Sequence, residues 1–170
     1  MIRNRDVRKL PVRTAFCCLL LAALPQSASA ATSTGSFNVS MTIQSSCTLV
    51  SSSAIAFGTH GMLTANTDAT GTLDVQCTAN SPYTVALDSG AGAGATTATR
   101  KLTSGGSTID YALYRDAART LSWGNTQGTD TVAGTGSGAS QSFTVYGRVP
   151  SQATPAAGSY SDTVNVTITY

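Results

Sequence analysis

Apolar and polar residues alternate in two segments that lie towards opposite ends of the chain. In the first segment every second residue is apolar: Phe37, Val39, Met41 and Ile43. In the second segment the same is true of Val164, Val166, Ile168 and Tyr170. Because successive side chains of a β-strand point to opposite faces, each segment is predicted to form a half-buried strand.

Shorter alternations between these segments predict four more strands. They lie around residues 73–77, 83–87, 109–113 and 143–145. The connections contain turn-forming sequences such as Asn80-Ser81-Pro82, and the glycine-rich stretches 90–94 and 134–138 are predicted to be hairpin loops. The sequence has no helical periodicity of three turns or more. An all-β sandwich is therefore predicted.

Residues 1–30 have the pattern of an export signal. Basic residues precede an apolar run from Ala15 to Leu24, and Ala28-Ser29-Ala30 forms a small-x-small site for a signal peptidase. The apolar run is about half as long as a membrane-spanning helix requires, and no longer run follows it. A lipid anchor at Cys17 or Cys18 is disfavoured because Phe16 stands where lipidation needs a small residue. We expect an exported chain without a membrane anchor.

Removal of this signal changes the charge of the chain. Five of the ten Lys and Arg and one of the eight Asp lie in residues 1–30, which leaves five basic residues, seven Asp and a net charge of −2. Nucleic-acid binding depends on clustered basic residues that displace counterions, and the exported chain has no such cluster. Nucleic acid is therefore excluded as an expected partner.

Two cysteines, Cys47 and Cys77, remain in the exported chain. Thiols are normally oxidised outside the cytoplasm, so the sequence predicts a disulfide between them. The alternative is a metal or redox pair, but there is no C-x-x-C motif and His60 is the only histidine. We predict no metal site and no cofactor.

The sequence offers few residues for catalysis. A hydrolase needs a nucleophile beside a base, and the bases here are one His and seven Asp. His60 lies in the turn-like sequence Phe57-Gly58-Thr59-His60-Gly61, where an exposed loop position is expected. We predict that the chain is not an enzyme and has no catalytic residues.

The N-terminal alternating segment allows two interpretations. It precedes Cys47 by the short polar link Gln44-Ser45-Ser46. It is either the first strand of a self-contained sandwich, or a strand that leaves its own chain and completes the sheet of another copy. The alternation alone does not separate these interpretations.

The chain resembles the spore coat U domain family, which includes subunits of archaic chaperone-usher pili. The resemblance covers nearly all of the exported chain. It is carried by Cys47-Thr48-Leu49, Val75-Gln76-Cys77, the segment from Tyr111 to Arg119 with Trp123-Gly124, Phe143 to Pro150, and Gly158 to Tyr170.

This resemblance implies an incomplete immunoglobulin-like β-sandwich that is completed by donor-strand exchange. Residues 31–46 would then be the donor strand and its link, and residues 47–170 the sandwich domain. The donor side chains would be Phe37, Val39, Met41 and Ile43. The C-terminal strand with Val164, Val166, Ile168 and Tyr170 would pair with a strand of a periplasmic chaperone before an outer-membrane usher adds the neighbouring subunit.

The function expected from the resemblance is that of a structural subunit of an extracellular pilus or surface fibre that supports adhesion or biofilm formation. The chain would be exported through the periplasm to the cell surface. The alternative is a secreted monomeric or tip-located adhesive module. Residues 31–170 leave no room for the second, receptor-binding domain expected of such a tip adhesin.

Overall fold

The computed structural model describes residues 28–170, so most of the predicted signal at residues 1–30 lies outside the described residues. The chain divides into two units between Ser40 and Met41. Residues 28–40 of the first unit have no regular secondary structure. The second unit contains eight strands and, within residues 41–170, no helix. The strands are β1 (Cys47–Ser52), β2 (Thr67–Cys77), β3 (Pro82–Leu87), β4 (Arg100–Ser104), β5 (Ser107–Tyr114), β6 (Val132–Thr135), β7 (Ser140–Val149) and β8 (Val166–Thr169).

The strands of the second unit form two antiparallel sheets. The larger sheet has the order β1-β2-β7-β5-β4, and the smaller has the order β6-β3-β8. Alternate residues of β2 and β3 are buried where the pattern predicted them. The buried apolar residues are Leu63, Leu73, Val75, Cys77, Tyr83, Val85, Leu87, Tyr111, Leu113, Trp123, Val145 and Val149. The four internal strands predicted from alternation correspond to β2, β3, β5 and β7.

Strands β1, β4 and β6 were not predicted. Strand β4 has the sequence RKLTS with a single apolar residue, Leu102, and β6 has the sequence VAGT. Their strand conformation comes from pairing with β5 and β3 rather than from an alternating pattern of their own.

The prediction of a loop at residues 134–138 was wrong at its beginning. Gly134 lies in β6 and pairs with Tyr83 of β3. A Cβ atom on Gly134 would lie 2.6 Å from Cζ of Tyr83, so the missing side chain makes room for a buried ring. Glycine at this position therefore reflects close packing in a strand, as it does elsewhere in sheets.

The first alternating segment does not form a strand. Residues 37–43 have no assigned secondary structure, and no strand within residues 28–170 pairs with them. A strand conformation requires a hydrogen-bonded neighbour as well as an alternating sequence.

Candidate functional site

The sandwich is open on one side, where β1 is an edge of the larger sheet and β8 is an edge of the smaller one. Among the described residues, β1 pairs with β2 alone and β8 pairs with β3 alone. Cα atoms of β1 and β8 come within 8 Å of each other without a ladder between them. Such edges present unpaired backbone groups to which another extended segment can bond. We call this region the β1–β8 groove.

Strand β8 lines the groove with the apolar face of its alternating sequence. Val166 lies opposite Leu87 and Ile168 lies opposite Val85, and both β8 residues are half-buried. The strand is shorter than the alternation that predicted it. Val164 precedes the strand but packs against the core, whereas Tyr170 follows the strand and is 59% exposed.

Strand β1 forms the opposite wall. Leu49 lies opposite the fully buried Val75, yet 41% of Leu49 is exposed because the groove beside it is open. The ladder skips Val50, which is 53% exposed, and resumes at Ser51. A bulge of this kind bends an edge strand and interrupts its pairing.

The chain that follows β1 continues this wall. Ile55 and Phe57 pack onto the larger sheet at two glycines: a Cβ on Gly71 would lie 2.7 Å from Cγ1 of Ile55, and one on Gly147 would lie 2.9 Å from Cζ of Phe57. The ring of Phe57 also meets the ring of Tyr111 edge-on, with 6.2 Å between centroids. The two glycines therefore allow side chains outside the strands to cover the inner face of the sheet.

A cavity of about 810 Å³ lies between this segment and the segment that precedes β8. Apolar side chains line part of it: Ile55, Phe57, Leu63, Leu102, Ile109 and Val149. Residues 154–162 contribute the other wall. The cavity is lined by polar as well as apolar groups, and it lies next to the segments that flank β1 and β8 rather than between the two strands themselves.

Asp162 fastens the wall before β8 to the sandwich. Its carboxylate accepts hydrogen bonds from the Tyr111 hydroxyl at 2.7 Å and from the Ala91 N–H at 2.8 Å. Burial, together with the hydrogen bond and the charge of Asp162, raises the pKa of Tyr111 far above its ordinary value. The phenol therefore stays neutral and acts as the donor.

Asp88 fastens the beginning of β8 to the end of β3. It accepts hydrogen bonds from the backbone N–H of Asn165 at 2.9 Å and from Nδ2 of Asn165 at 2.6 Å. Burial alone raises the pKa of Asp88, but the hydrogen bonds from Asn165 and Gly90 outweigh it and lower the pKa. The ionised carboxylate is thus the form that holds β8.

Arg100 is a structural residue that the sequence reasoning missed. Its side chain is fully buried, and its guanidinium group donates to the backbone carbonyls of Leu87 (3.2 Å), Asp88 (2.8 Å), Thr97 (2.8 Å) and Trp123 (2.8 Å). Burial lowers the pKa of Arg100 below its ordinary value. The one signal available in the sequence was an arginine at the start of a short polar segment, which ordinarily indicates a solvated position.

The predicted disulfide is present between Cys47 and Cys77, 30 residues apart. The two residues are also register partners, the first of β1 and the last of β2. The bond therefore covalently fastens one wall of the groove to a central strand.

The link before Cys47 is attached to the sandwich. The N–H of Ser46 donates to Oγ1 of Thr78 at 3.0 Å, and the O of Ser46 accepts from the N–H of Thr78 at 2.9 Å. The hydroxyl groups of Ser45 and Ser81 lie 2.9 Å apart. These polar residues thus hold the chain up to the point where the alternating segment ends.

The four predicted donor side chains are exposed. Phe37 is 86% exposed, Val39 84%, Met41 85% and Ile43 68%. Single exposed apolar residues are common on protein surfaces, but four at every second position of one segment are not.

The sequence model of the Spore Coat Protein U domain matches residues 33–167. This chain belongs to the Spore Coat Protein U domain family. The family match includes the exposed alternating segment and the first two residues of β8.

This Spore Coat Protein U domain chain is similar to one protein in sequence and to one solved structure in fold. The chain is 35% identical over 158 residues to Protein U of Myxococcus xanthus, covering 84% of this chain and 88% of that protein. It also superposes with a TM-score of 0.55 and 20% identity on a chain of the CsuC-CsuE chaperone-tip adhesion subunit pre-assembly complex from archaic chaperone-usher Csu pili of Acinetobacter baumannii. That match covers 76% of this chain and 40% of the other, so the chain spans less than half of the solved one. The likeness confirms the predicted fold class, an all-β sandwich similar to the chaperone-usher pilin fold.

Residues that suggested the Spore Coat Protein U family hold loops in place. Arg115 donates to the carbonyls of Thr131 at 2.7 Å and Thr129 at 3.0 Å. Nε1 of the buried Trp123 donates to the carbonyl of Val85 at 2.9 Å. Arg119 lies 3.3 Å from a carboxylate oxygen of Asp68. These side chains stabilise the sandwich.

The candidates for catalysis in this Spore Coat Protein U domain also have local partners. Nε2 of His60 lies 2.7 Å from the carbonyl of Phe57 in an exposed turn. Each of the seven side-chain carboxylates in residues 28–170 has a hydrogen-bond partner within the sandwich: Asp68, Asp74, Asp88, Asp110, Asp116, Asp130 and Asp162. Within residues 28–170, no three acidic, His or Cys side chains are grouped as metal ligands would be. No helix in that part of the chain is long and apolar enough to cross a membrane.

Proposed function

We propose that this Spore Coat Protein U domain protein is a structural subunit of an extracellular fibre. Residues 37–43 of one copy enter the β1–β8 groove of the next and complete its sandwich. The observation that carries the proposal is the open groove between two unpaired edges in a chain that also has an exposed, alternating segment. Repetition of this exchange along one direction produces a polymer.

Insertion of residues 37–43 into the groove would stabilise the joint in two ways. The inserted segment supplies backbone hydrogen bonds to the free edges, and its alternate side chains enter the groove. Burial of a large apolar side chain contributes about 1.5 to 3 kcal/mol, so four of them contribute roughly 6 to 12 kcal/mol before ordering costs. A joint of this strength is long-lived.

The same groove requires protection before assembly. We expect a periplasmic chaperone to pair with β8 through Val164, Val166, Ile168 and Tyr170, and an outer-membrane usher to replace the chaperone with the next subunit. The Acinetobacter complex is named as a chaperone-tip adhesion subunit pre-assembly complex, and its fold supports this route. The chain is then exported through the periplasm to a surface fibre that supports adhesion or biofilm formation.

Charge placed on one face of residues 37–43 tests the proposal. Val39→Asp with Met41→Asp introduces carboxylates where the donor strand meets the groove, at a cost of several kcal/mol for burying unpaired charges. We expect this variant to fold and co-purify with its chaperone but to form no fibres in electron micrographs.

Asn38→Asp with Thr42→Asp is the matched control. It adds the same two charges to the other face of the segment, which faces solvent if the strand inserts as proposed, and fibre yield is expected to stay close to that of the wild type. If Val39→Asp with Met41→Asp instead abolished folding and chaperone binding together, the segment would belong to the core of its own subunit and the proposal would be wrong.

A further inference from the structure

Ser46 and Thr78 lie next to each other just beyond the disulfide end of the β1–β2 ladder. Cys47 and Cys77 are the last register partners, and Ser46 and Thr78 are joined by one backbone hydrogen bond of 2.9 Å and by one bond of 3.0 Å from the Ser46 N–H to the Thr78 hydroxyl. Oγ1 of Thr78 also lies 3.3 Å from the carbonyl of Ser46 and 3.4 Å from that of Gln44. A side-chain hydroxyl thus contacts both ends of the polar link.

A pair of hydroxyl groups holds the middle of the link. Oγ of Ser45 lies 2.9 Å from Oγ of Ser81, which belongs to a residue only 6% exposed. Ser81 is in turn fixed by backbone hydrogen bonds to Thr78 and Gly136. The link is therefore attached to a rigid part of the sandwich at each of its three residues.

We propose that Thr78 and Ser81 form a hydroxyl clamp that fixes where the donor strand leaves its own subunit and thereby limits bending between consecutive subunits. The inference rests on the proposed function and assigns these two residues a positioning role within it. Once inserted, residues 37–43 move as part of the neighbouring sandwich. Bending is then confined to the residues between Ile43 and the point where the chain joins its own sandwich.

The clamp determines how long this flexible stretch is. With the clamp closed, the attachment begins at Gln44, directly after the last donor side chain. With the clamp open, the first fixed residue is Ser46, whose carbonyl still accepts a hydrogen bond from the backbone N–H of Thr78. Two additional free residues then give about 7 Å of extended chain between the two rigid bodies. Opening the clamp converts a tight joint into a short flexible tether.

Two variants remove the clamp without touching a buried residue. Thr78→Val keeps the shape of the side chain but removes the acceptor for the Ser46 N–H, and Ser45→Ala removes the hydrogen bond to Ser81. We expect hydrogen exchange at the Ser46 amide to become about tenfold faster in Thr78→Val. We expect fibres of the double variant to form in normal yield with a persistence length shorter by about twofold or more in electron micrographs.

Thr144→Val with Ser140→Ala on β7 is the matched control, because both residues are exposed and lie outside the link. Its fibres are expected to bend like the wild type. Unchanged persistence length in the clamp variant, or a loss of polymerisation with normal chaperone binding, would overturn the inference. If the wild type itself formed no fibres, the proposed function would fail. Exchange at Ser46 in the soluble chain would then still decide whether the clamp exists, because an unchanged rate in Thr78→Val would disprove it.

Discussion

The structural role of a polar residue in this protein depends on its hydrogen-bond partners. Arg100 is the clearest case, because a cation in a short polar segment lies fully buried among four backbone carbonyls. Asp162 and Asp88 similarly use their carboxylates to hold backbone and side-chain donors near β8. The sequence shows that these residues are charged, but their partners lie up to 77 residues away along the chain. Their structural roles therefore could not be predicted from local patterns.

We predict that Arg100→Met destabilises the folded chain by about 3 to 5 kcal/mol, because it leaves several buried carbonyls without donors. Arg148→Met is the control, since Arg148 forms a partly exposed ion pair with Asp68 and its loss should destabilise the chain far less. Urea unfolding followed by circular dichroism measures both values. Equal losses in the two variants would show that the carbonyl contacts of Arg100 contribute little.

At the level of secondary structure, alternation predicted strands well where both neighbours are present. It succeeded for β2, β3, β5 and β7, each of which contributes alternate residues to the core. It failed for β4 and β6, whose strand conformation depends on pairing, and for residues 37–43, which alternate but have no ladder within the described residues. Pairing is a property of two segments, so one segment's pattern predicts it incompletely.

The attachment of β8 to β3 should depend on pH through Asp88. Because the folded chain lowers the pKa of this carboxyl below its ordinary value of 3.8, the ionised form stabilises the fold above that pH, and the stabilisation is lost as the pH falls through the lowered pKa. We predict that Asp88→Asn lowers the unfolding free energy by about 1 to 2 kcal/mol at pH 7. The difference from the wild type should shrink towards pH 3 in urea titrations. A constant difference across this range would show that the charge of Asp88 does not hold β8.

At the scale of the whole molecule, the groove is an arrangement that no single element contains. β1 and β8 belong to different sheets and meet at one side of the sandwich, and residues 154–162 with Ile55 and Phe57 extend the opening into a cavity. Of the two walls of the β1–β8 groove, only the β8 wall was predicted from the sequence. The β1 wall was not predicted, because a bulge and two glycines on other strands determine its position.

A chain that carries its own donor strand should no longer polymerise. We predict that a copy of residues 33–46 fused after Tyr170 through a short Gly/Ser turn folds back antiparallel to β8 and fills the groove intramolecularly. The fused chain should be monomeric in size-exclusion chromatography and should unfold at a temperature higher by about 10 °C or more.

The same fusion with Val39→Asp and Met41→Asp in the appended copy is the control. It should unfold at the temperature of the unfused chain and should still assemble through the groove. A fused chain that polymerised as well as the unfused one would contradict the groove as the assembly site.

The sequence by itself determined the all-β class, the disulfide pair and the alternating faces of the first and last segments, because side-chain alternation and cysteine oxidation are local or compositional properties. Tertiary structure decided which segments obtain partners, where the sandwich is left open, and which hydroxyl groups hold the link at Ser45 and Ser46. These outcomes depend on contacts between residues far apart in the chain, such as Ser46 with Thr78 and Asp88 with Asn165. Long-range pairing and burial can override local preference, and that is why the groove becomes visible in the folded chain.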